Sequence, residues 1–392
     1  MPKNKLIIYG AVAKIPTSSK RWEKSKNFFH QILDRIKIKT KKNHKIDYRN
    51  YISSTTYNRG DHAIIQASNQ IIKQKASHLE INPVNWGDID KPSNSQVPFA
   101  ICGSGYFFLN NVLQFPSRLH NDLASIKGGN SLAMIYGAGV NLLDPTLKHR
   151  EINPPKDQLN FLSDFLEHCE YISVRDAASQ RLLQCCTSRQ VHLIGDPAFL
   201  IEPYFDITPE KIFSKEITHI GVNIPFHGPG ACSRINEDFP AYITALNKIQ
   251  KKTDCLFHYI IHYDSEILIA KLIQDAGIKI NIIHGDVDAL LHAYQQLNMH
   301  IGGMLHSCIL ASSRGTPAIG LAYDIKHSGF FDLLELPEHC IPAQPFDPDH
   351  IVNLSMQILK NENQLRLKIL KRRMEFKNKA DEFLRSALQR FD

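Results

Sequence analysis

The residue best suited to proton transfer in this sequence is His306, which follows a predicted glycine turn. An apolar run ends in Gly302 and Gly303, and His306 and Ser307 come at the predicted start of the next helix. A helix start carries unpaired N–H groups and the positive end of the helix dipole, so it favours an anionic ligand. A histidine there can donate or accept a proton near neutral pH. The sequence therefore predicts that Gly303, His306 and Ser307 line an anion site with acid–base chemistry.

The next apolar run, residues 318–323, ends in a second set of polar residues. Tyr323 closes the run and Lys326 follows after one short turn. Ligands of open α/β sheets bind at the carboxyl ends of the strands. We therefore expect Lys326 to point into the same crevice as His306, with Tyr323 beside it; a solvated surface lysine is the alternative.

A third cation, Arg175, follows an apolar run in the first half of the chain. A guanidinium at a strand end suits bidentate binding of a phosphate or a carboxylate. The alternative is an ion pair with the adjacent Asp176. We expect the anion-binding role.

Asn58, Gly60 and Asp61 form a predicted turn between a strand-like run and a helix. Asp61 is expected to cap that helix, because aspartate side chains accept hydrogen bonds from the first free N–H groups. Asn58 and Asp61 are also candidates for ligand contact.

Two further apolar runs end in Gly-X-Gly turns, at Gly103 and Gly105 and at Gly137 and Gly139. Such turns let backbone approach a ligand without a Cβ clash, so these glycines are predicted to bind substrate. Neither turn completes the GxGxxG fingerprint with an acidic residue at the expected distance, which argues against dinucleotide binding.

Composition describes an ordinary globular protein, with 43% hydrophobic and 22% charged residues among 392. The eight cysteines form no CxxC pair, and the acidic pair Asp286 and Asp288 fits a helix start better than a metal site. We therefore predict neither a metal nor a bound cofactor. The formal net charge is +7, but the basic residues are not interleaved with aromatic ones. Nucleic acid is therefore not an expected partner.

We expect the basic residues to lie on solvated faces of helices. The alternative is that they contact an anionic membrane surface peripherally. No apolar run is long enough to span a bilayer, and the first residues lack a cleavage pattern. A cytoplasmic protein, in the alternative peripheral at the inner face of the membrane, is expected. A homodimer is compatible with these features, and no pattern argues for one.

Strand and helix patterns alternate in two blocks, which predicts two doubly wound parallel sheets. A largely helical segment follows them. This is a glycosyltransferase-B-like architecture: two Rossmann-like domains, a C-terminal helical crossover and a cleft between the domains. The predicted boundaries are a basic strand and helix extension at 1–45, an N-terminal domain at 46–205, a C-terminal domain at 216–345 and a helical segment at 346–392.

Seven short motifs in register resemble the polysaccharide pyruvyltransferase family, between about Tyr48 and Lys326. They are Asn58-Arg59-Gly60-Asp61, Gly103-Ser104-Gly105, Gly137-Ala138-Gly139, Ser173-Val174-Arg175-Asp176, Ile194-Gly195-Asp196-Pro197-Ala198, Leu305-His306-Ser307, and Gly315-Thr316-Pro317 through Tyr323-Asp324-Ile325-Lys326.

The resemblance implies transfer of a pyruvyl group from phosphoenolpyruvate to two hydroxyls of one sugar. The product would be a pyruvate ketal on a cell-surface polysaccharide or its lipid-linked precursor, with phosphate released. By the same resemblance, Arg175 and Lys326 would hold the donor's anionic groups. His306 would act as acid or base or bind the donor phosphate, and Asn58 and Asp61 would lie near the acceptor.

One position departs from the family pattern, which usually has an arginine before the Leu-His pair where this chain has Met304. Arg314 and Lys14 are candidates to replace the missing charge. Two alternatives stay open: a nucleotide-sugar glycosyltransferase on the same scaffold, with Glu335 or Glu338 on a ribose, and a catalytically impaired homologue that binds a glycan or a partner.

Overall fold

Two parallel β-sheets flanked by helices organise the part of the chain that the structure describes. No helix in that part is both long and apolar enough to cross a membrane. In this computed structural model, the described residues are 5–10, 58–85, 98–103, 105–110, 112–129, 133–144, 152–204, 216–224 and 235–389.

The N-terminal domain is a doubly wound sheet. Its elements are β1 (Lys5–Gly10), α1 (Arg59–Lys75), β2 (Glu80–Asn85), β3 (Phe99–Cys102), β4 (Phe107–Phe108), α2 (Ser117–Gly129), β5 (Ala133–Ala138), β6 (Val140–Asn141), α3 (Lys156–Glu167), β7 (Cys169–Val174), α4 (Ala177–Gln184), β8 (Val191–Leu193) and a 3-10 helix (Pro197–Leu200). The strand order is β2-β1-β3-β5-β7-β8, with all pairs parallel, and β4 pairs with β6 separately. Residues of β3 and β5 are buried throughout, because helices cover both faces of the sheet.

The C-terminal domain repeats this architecture. Its elements are β9 (His219–Asn223), α5 (Ile235–Thr253), β10 (Leu256–Ile260), a 3-10 turn (Asp264–Glu266), α6 (Ile267–Asp275), β11 (Ile280–Ile283), α7 (Val287–Gln295), β12 (Met299–Gly302), α8 (Leu305–Ser313), β13 (Ala318–Ala322), α9 (Ile325–Leu333), a 3-10 turn (Pro337–His339), β14 (Cys340–Pro342), α10 (Pro348–Lys360) and α11 (Glu362–Leu388). The strand order β11-β10-β9-β12-β13-β14 reverses direction between β9 and β12. A reversal of this kind opens a crevice at the carboxyl ends of the two strands.

The prediction of an N-terminal extension outside the first domain is wrong for its strand. β1 lies inside the N-terminal sheet, paired with β2 on one side and β3 on the other. A local apolar pattern predicts a strand but cannot identify its partners, which here lie about 75 to 90 residues away. The predicted basic helix at 19–37 lies outside the described residues.

One apolar cluster joins the two domains and the last helix. It includes Ile64 of α1, Leu290 of α7, Leu305 of α8 and Phe383 of α11. The first half of α11 touches the C-terminal domain, where Arg372 Nε donates to the Leu333 carbonyl at 3.0 Å. Its second half touches the N-terminal domain, where Phe383 stacks on Tyr136 with ring centroids 6.2 Å apart. The predicted fold class, two Rossmann-like domains with a helical crossover, is confirmed by this architecture.

Candidate functional site

The candidate residues collect where strands of both sheets end and helices begin. The start of α1 in the N-terminal domain faces the starts of α8 and α9 in the C-terminal domain. Each of these helices presents its positive dipole end to the cleft. The N-cap of α8 is Met304, whose side chain makes no capping hydrogen bond, so the first N–H groups of this helix lack a side-chain cap.

The start of α1 holds a carboxyl group in the cleft. Asn58 caps the helix, its Oδ1 accepting from Gly60 N at 2.9 Å, and its Nδ2 donates to Asp61 Oδ2 at 2.7 Å. The prediction that Asp61 is the cap is therefore wrong, and Asp61 is free to serve in the cleft. Burial raises the pKa of the Asp61 carboxyl, while the nearby His306 and Lys326 oppose that rise.

The imidazole of His306 packs directly against α1. A Cβ built on Gly60 would come within 2.3 Å of His306 Nδ1, so only glycine admits the ring here. On the other side, His306 Nε2 lies 3.8 Å from Asp196 Oδ2. His306 is therefore held between residues of the N-terminal domain, although it belongs to the C-terminal one.

Lys326 lies at the start of α9, beside the buried Asp324 that caps this helix. Its Nζ is 3.7 Å from Asp324 Oδ2 and 5.2 Å from the centroid of the Tyr323 ring. Burial lowers the pKa of Lys326, and Asp324 and Asp61 counter this effect while Arg175 adds to it. The ammonium group thus interacts electrostatically with Asp61 across the cleft.

Arg59, next to the cleft residues of α1, ties the two domains together. Its backbone N donates to the His262 carbonyl at 3.2 Å, and its Nη2 donates to Asp264 Oδ1 at 2.9 Å. The side chain is 3% exposed and also contacts His284 Nε2 at 3.0 Å. This contact fixes the start of α1, and with it Asp61, relative to His306.

Arg175 donates hydrogen bonds to the protein itself, and its predicted binding of an anionic ligand stays a prediction. Its Nε donates to Asp176 Oδ2 at 2.9 Å, and its Nη2 donates to the Val140 carbonyl at 2.9 Å and to Asn141 Oδ1 at 2.7 Å. Only 3% of Arg175 is exposed. The alternative interpretation, an ion pair with Asp176, is the one that the structure supports.

Three further predicted ligand contacts are used inside the C-terminal domain. The Ser307 hydroxyl is fully buried and donates to the Met304 carbonyl at 2.7 Å, and its contact with substrate stays a prediction. Gly303 donates its N–H to the Asn223 carbonyl, and its own carbonyl lies 3.1 Å from His327 Nε2. Tyr323, 4% exposed, lies behind Lys326 with its hydroxyl 3.8 Å from Met304 Sδ.

The Gly-X-Gly turns admit side chains of the protein, and their predicted role in ligand approach stays a prediction. A Cβ on Gly137 would come within 2.5 Å of Pro197, one on Gly139 within 2.3 Å of Arg175, and one on Gly105 within 2.8 Å of the Asn141 amide. Gly103 has a φ of 129°, and its carbonyl accepts from Tyr106 N at 3.2 Å. The lack of a side chain at Gly103 allows the backbone to form this turn.

Met304 brings no charge to the start of α8. It is 7% exposed, and its backbone N donates to Asn223 Oδ1 at 3.0 Å. Arg314 cannot replace an arginine at this position, because it lies past the far end of α8 and pairs with Glu202 at 3.0 Å. Lys14 lies outside the described residues.

A buried carboxyl group, that of Glu266, supports the turn at Met304 through Asn223, which hydrogen-bonds both residues. Glu266 is fully buried, and its Oε2 accepts from Asn223 Nδ2 at 3.0 Å and from His262 N at 2.7 Å. Burial raises the pKa of Glu266 to about 8. The neighbouring His262 donates or accepts through Nε2 at 2.8 Å from the Tyr294 hydroxyl, and burial holds its pKa well below the usual range.

Two residues of the site were missed in the sequence. Tyr263 hydrogen-bonds Asn58 and lies near Asp61; burial raises the pKa of its phenol well above the usual range. Asp196 caps the 3-10 helix that follows β8, and it also faces His306. Its strand-end position between glycine and proline was the available signal.

Among the described residues, no group of three or more His, Cys, Asp or Glu side chains is arranged to hold a metal ion. Asp286 caps α7, its side chain accepting from Ala289 N at 2.9 Å, and Asp288 accepts from Gln66 Nε2 at 2.7 Å. What the cleft offers is a carboxyl with a raised pKa, an imidazole, an ammonium group and an uncapped helix start. Such a set can bind an anion and transfer a proton.

The family model for polysaccharide pyruvyl transferase matches residues 58–325, well over half of the chain and the whole of this cleft up to Asp324. The chain belongs to this family. Within the polysaccharide pyruvyl transferase match lie Asn58, Asp61, Asp196 and His306, drawn from both domains. The carboxyl, imidazole and uncapped helix start described above are thus features of a family member.

Solved structures similar to this polysaccharide pyruvyl transferase family member are distant in sequence. An S. aureus MnaA–UDP co-structure is 10% identical with a TM-score of 0.48, over 93% of this chain and 90% of that one. A glycosyltransferase from Rickettsia africae ESF-5 is 11% identical with a TM-score of 0.48, over 100% and 98%. The fold rests on the two sheets themselves and not on these similarities. No curated protein matches the sequence significantly.

Proposed function

We propose that the protein transfers a pyruvyl group from phosphoenolpyruvate to a sugar of a cell-surface polysaccharide or of its lipid-linked precursor. Two hydroxyls of the sugar become the oxygens of a ketal, and phosphate is released. The observation that carries the proposal is the meeting of Asp61, His306 and Lys326, each at a helix start, in the cleft between the domains. The family of the chain gives the reaction class.

The donor carries a phosphate and a carboxylate, so it needs positive charge and free N–H groups. Lys326 supplies an ammonium group, and the uncapped start of α8 supplies N–H groups and a dipole end. His306 adds a further positive charge when it is protonated. We assign donor binding to these three features and not to Arg175, which is occupied.

The chemistry needs an acid for the vinyl carbon and a base for the attacking hydroxyl. Asp61 suits the acid, because burial raises its pKa and so keeps its proton to higher pH. Its proton goes to the methylene carbon, which becomes a methyl group, and the neighbouring carbon becomes electron-poor. One sugar hydroxyl adds there and gives its proton to the base; the second hydroxyl then displaces phosphate, and the departing phosphate takes up the second hydroxyl proton. His306 is the candidate base for a hydroxyl proton.

Calorimetry with phosphoenolpyruvate at low salt tests the proposal on wild type, His306→Ala and Lys326→Met. We expect binding by the wild type that is weakened in both variants, with inorganic phosphate and pyruvate binding more weakly than the intact donor. Lys248→Met is the matched control, because Lys248 pairs with Asp349 on the surface, away from the cleft. No wild-type binding at millimolar donor would overturn the proposed donor.

Met304 favours a second candidate: a relative with a different donor or with no transfer activity. The position carries a thioether near Tyr323 and no cation. A panel of nucleotide sugars, tested by the same calorimetry, distinguishes a different donor. If neither they nor phosphoenolpyruvate binds, and Met304→Arg does not create donor binding, the non-catalytic candidate is favoured.

A further inference from the structure

Asp196 is a buried carboxylate with one oxygen unaccounted for. It follows β8 and is 2% exposed. Its Oδ1 caps the 3-10 helix that follows, accepting from Ala198 N at 2.9 Å. Its Oδ2 is buried and has no hydrogen-bond partner among the described residues. A buried polar atom without a partner is rare and requires an explanation.

The side chain that this oxygen faces is His306. The 3.8 Å between Asp196 Oδ2 and His306 Nε2 is within ion-pair range and longer than a hydrogen bond. Catalytic hydrogen bonds are often long without substrate and shorten in the complex. The ring has little freedom to turn elsewhere, since Gly60 confines its Nδ1 edge and only 8% of His306 is exposed.

Other charged groups surround the same ring. Asp61 on α1 couples electrostatically to His306, to Asp196 and to Lys326 on α9. His262, beyond the end of β10, also couples to His306. Asp196 differs from Asp61 in that its remaining oxygen is directed at Nε2 and its other oxygen is fixed by the Ala198 N–H. The backbone contact therefore fixes the Asp196 carboxylate in its orientation toward His306.

We infer that Asp196 is a positioning residue for His306: its Oδ2 accepts the Nε2 proton, fixes the tautomer and leaves Nδ1 as the unprotonated nitrogen toward the start of α1. A carboxylate behind a histidine sets which ring nitrogen carries the proton. The catalytic part of the inference rests on the proposed function, because only there does His306 act on substrate. The inference about the tautomer of His306 does not depend on which pyruvyl donor or substrate the protein binds.

Asp196→Asn removes the negative charge of this side chain and keeps its helix cap. The asparagine oxygen can still cap the 3-10 helix, since asparagine and aspartate are comparable caps. Its amide, however, donates a hydrogen bond and would face Nε2, so the Nδ1-protonated tautomer becomes the favoured one. The melting temperature should stay close to that of the wild type.

The experiment is ¹⁵N NMR of histidine-labelled protein at pH 8.5, above the ordinary titration range of histidine. His306→Gln identifies the His306 signals by their loss. We expect the Nε2-protonated pattern in the wild type and the Nδ1-protonated pattern in Asp196→Asn. Asp347→Asn is the control, because Asp347 caps α10 far from the cleft and should leave the His306 pattern unchanged.

A turnover measurement accompanies the NMR experiment. It follows the release of phosphate from phosphoenolpyruvate, with methyl hexosides as acceptors. Asp196→Asn should lose on the order of 10²-fold in kcat, the lower end of what a positioned acid or base contributes, with a smaller change in KM. The same tautomer in wild type and Asp196→Asn would overturn the inference. If phosphoenolpyruvate proves not to be the donor, the turnover arm fails while the NMR result still decides the role of Asp196.

Discussion

Two cations end parallel strands on opposite sides of the cleft, and their surroundings differ. Arg175 follows β7 and Lys326 follows β13, each beside an aspartate that caps the next helix. Asp176 binds Arg175 at 2.9 Å, whereas Asp324 lies 3.7 Å from Lys326. The guanidinium also donates to Val140 and Asn141, while the ammonium group lies over the Tyr323 ring.

The difference follows from the chemistry of the two groups. A guanidinium has five donors in a fixed plane, so one arginine can bind an aspartate and two loop oxygens at once. Arg175 does so and thereby ties β6 to β7. An ammonium group is a point charge on a flexible stem, and Lys326 remains 16% exposed. We therefore propose that the cation of the N-terminal side serves stability and that the cation of the C-terminal side serves a ligand.

The largest effect is expected at Asp61, which lies beside the ligand-facing cation. Asp61→Asn should lower the rate of phosphate release about 10²- to 10⁴-fold, because it removes the proposed acid while keeping the size of the side chain. Donor affinity measured by calorimetry should change little. In the wild type, activity should fall as pH rises through the raised pKa of Asp61. A variant with near wild-type turnover would remove Asp61 from the chemistry.

Arg175→Met should break the N-terminal side of the comparison. It leaves Asp176 buried without its partner, and a loss of about 3–5 kcal/mol in the free energy of unfolding is expected, measured by urea denaturation. The double variant Arg175→Met/Asp176→Asn should recover part of this loss, because no unpaired charge remains. Unchanged stability together with lost donor binding would instead return Arg175 to the ligand-binding role.

The fold could be predicted from the sequence because the apolar patterns of its strands and of its helices are both clear. Continuous apolar runs alternate with amphipathic helices, and this pattern depends only on neighbours in the chain. The membership of β1 in the first sheet could not be predicted, because its partners β2 and β3 are distant in sequence. The position of a strand in a sheet depends on which other strands it meets.

Within the cleft, residue type and strand-end position predicted Asp61, His306 and Lys326, which the structure brings together. They could not tell His306 from Ser307, because neighbouring helix residues differ by about 100° in direction and only the packed helix decides which one faces the cleft. They also could not identify what approaches the glycines. A turn without Cβ atoms predicts that something approaches closely, and here Arg175 and Pro197 do so.

Lys326→Met sharpens the C-terminal side of the comparison. Loss of one charge-assisted bond to a bound anion costs about 1.5–3 kcal/mol, so donor affinity should fall roughly 10- to 100-fold by calorimetry. Stability should change less than in Arg175→Met, since Lys326 Nζ lies 3.7 Å from Asp324 Oδ2, whereas Arg175 donates to Asp176, Val140 and Asn141 at 2.7–2.9 Å. If Lys326→Met destabilises the fold as much as Arg175→Met does, the two cations serve the same purpose and the comparison fails.

The last prediction concerns the pH dependence of stability, which also differs between the two sides. The N-terminal side pairs its buried carboxylate Asp176 with Arg175, whereas the C-terminal side buries Glu266 against hydrogen-bond donors without a close ion pair. The pKa of Glu266 is about 8 in the folded protein and 4.5 ordinarily, so between these values the folded state holds a proton that the unfolded state has lost. Stability from this group is thus fully present below pH 4.5 and declines as pH rises towards 8, by about 1.4 kcal/mol per pH unit.

Glu266→Gln should remove this dependence, because glutamine keeps the acceptor oxygen for Asn223 and His262 without an acidic proton. Urea denaturation at pH 5, 6, 7 and 8 should show the variant gaining on the wild type as pH rises. Histidines such as His262, neutral when folded, act in the opposite direction below pH 6.5, and they cancel in the difference between the two proteins. The exposed Glu167→Gln serves as the control. A difference that does not vary with pH would mean that Glu266 is ionised in the fold, and that the turn at Met304 is supported by a charge.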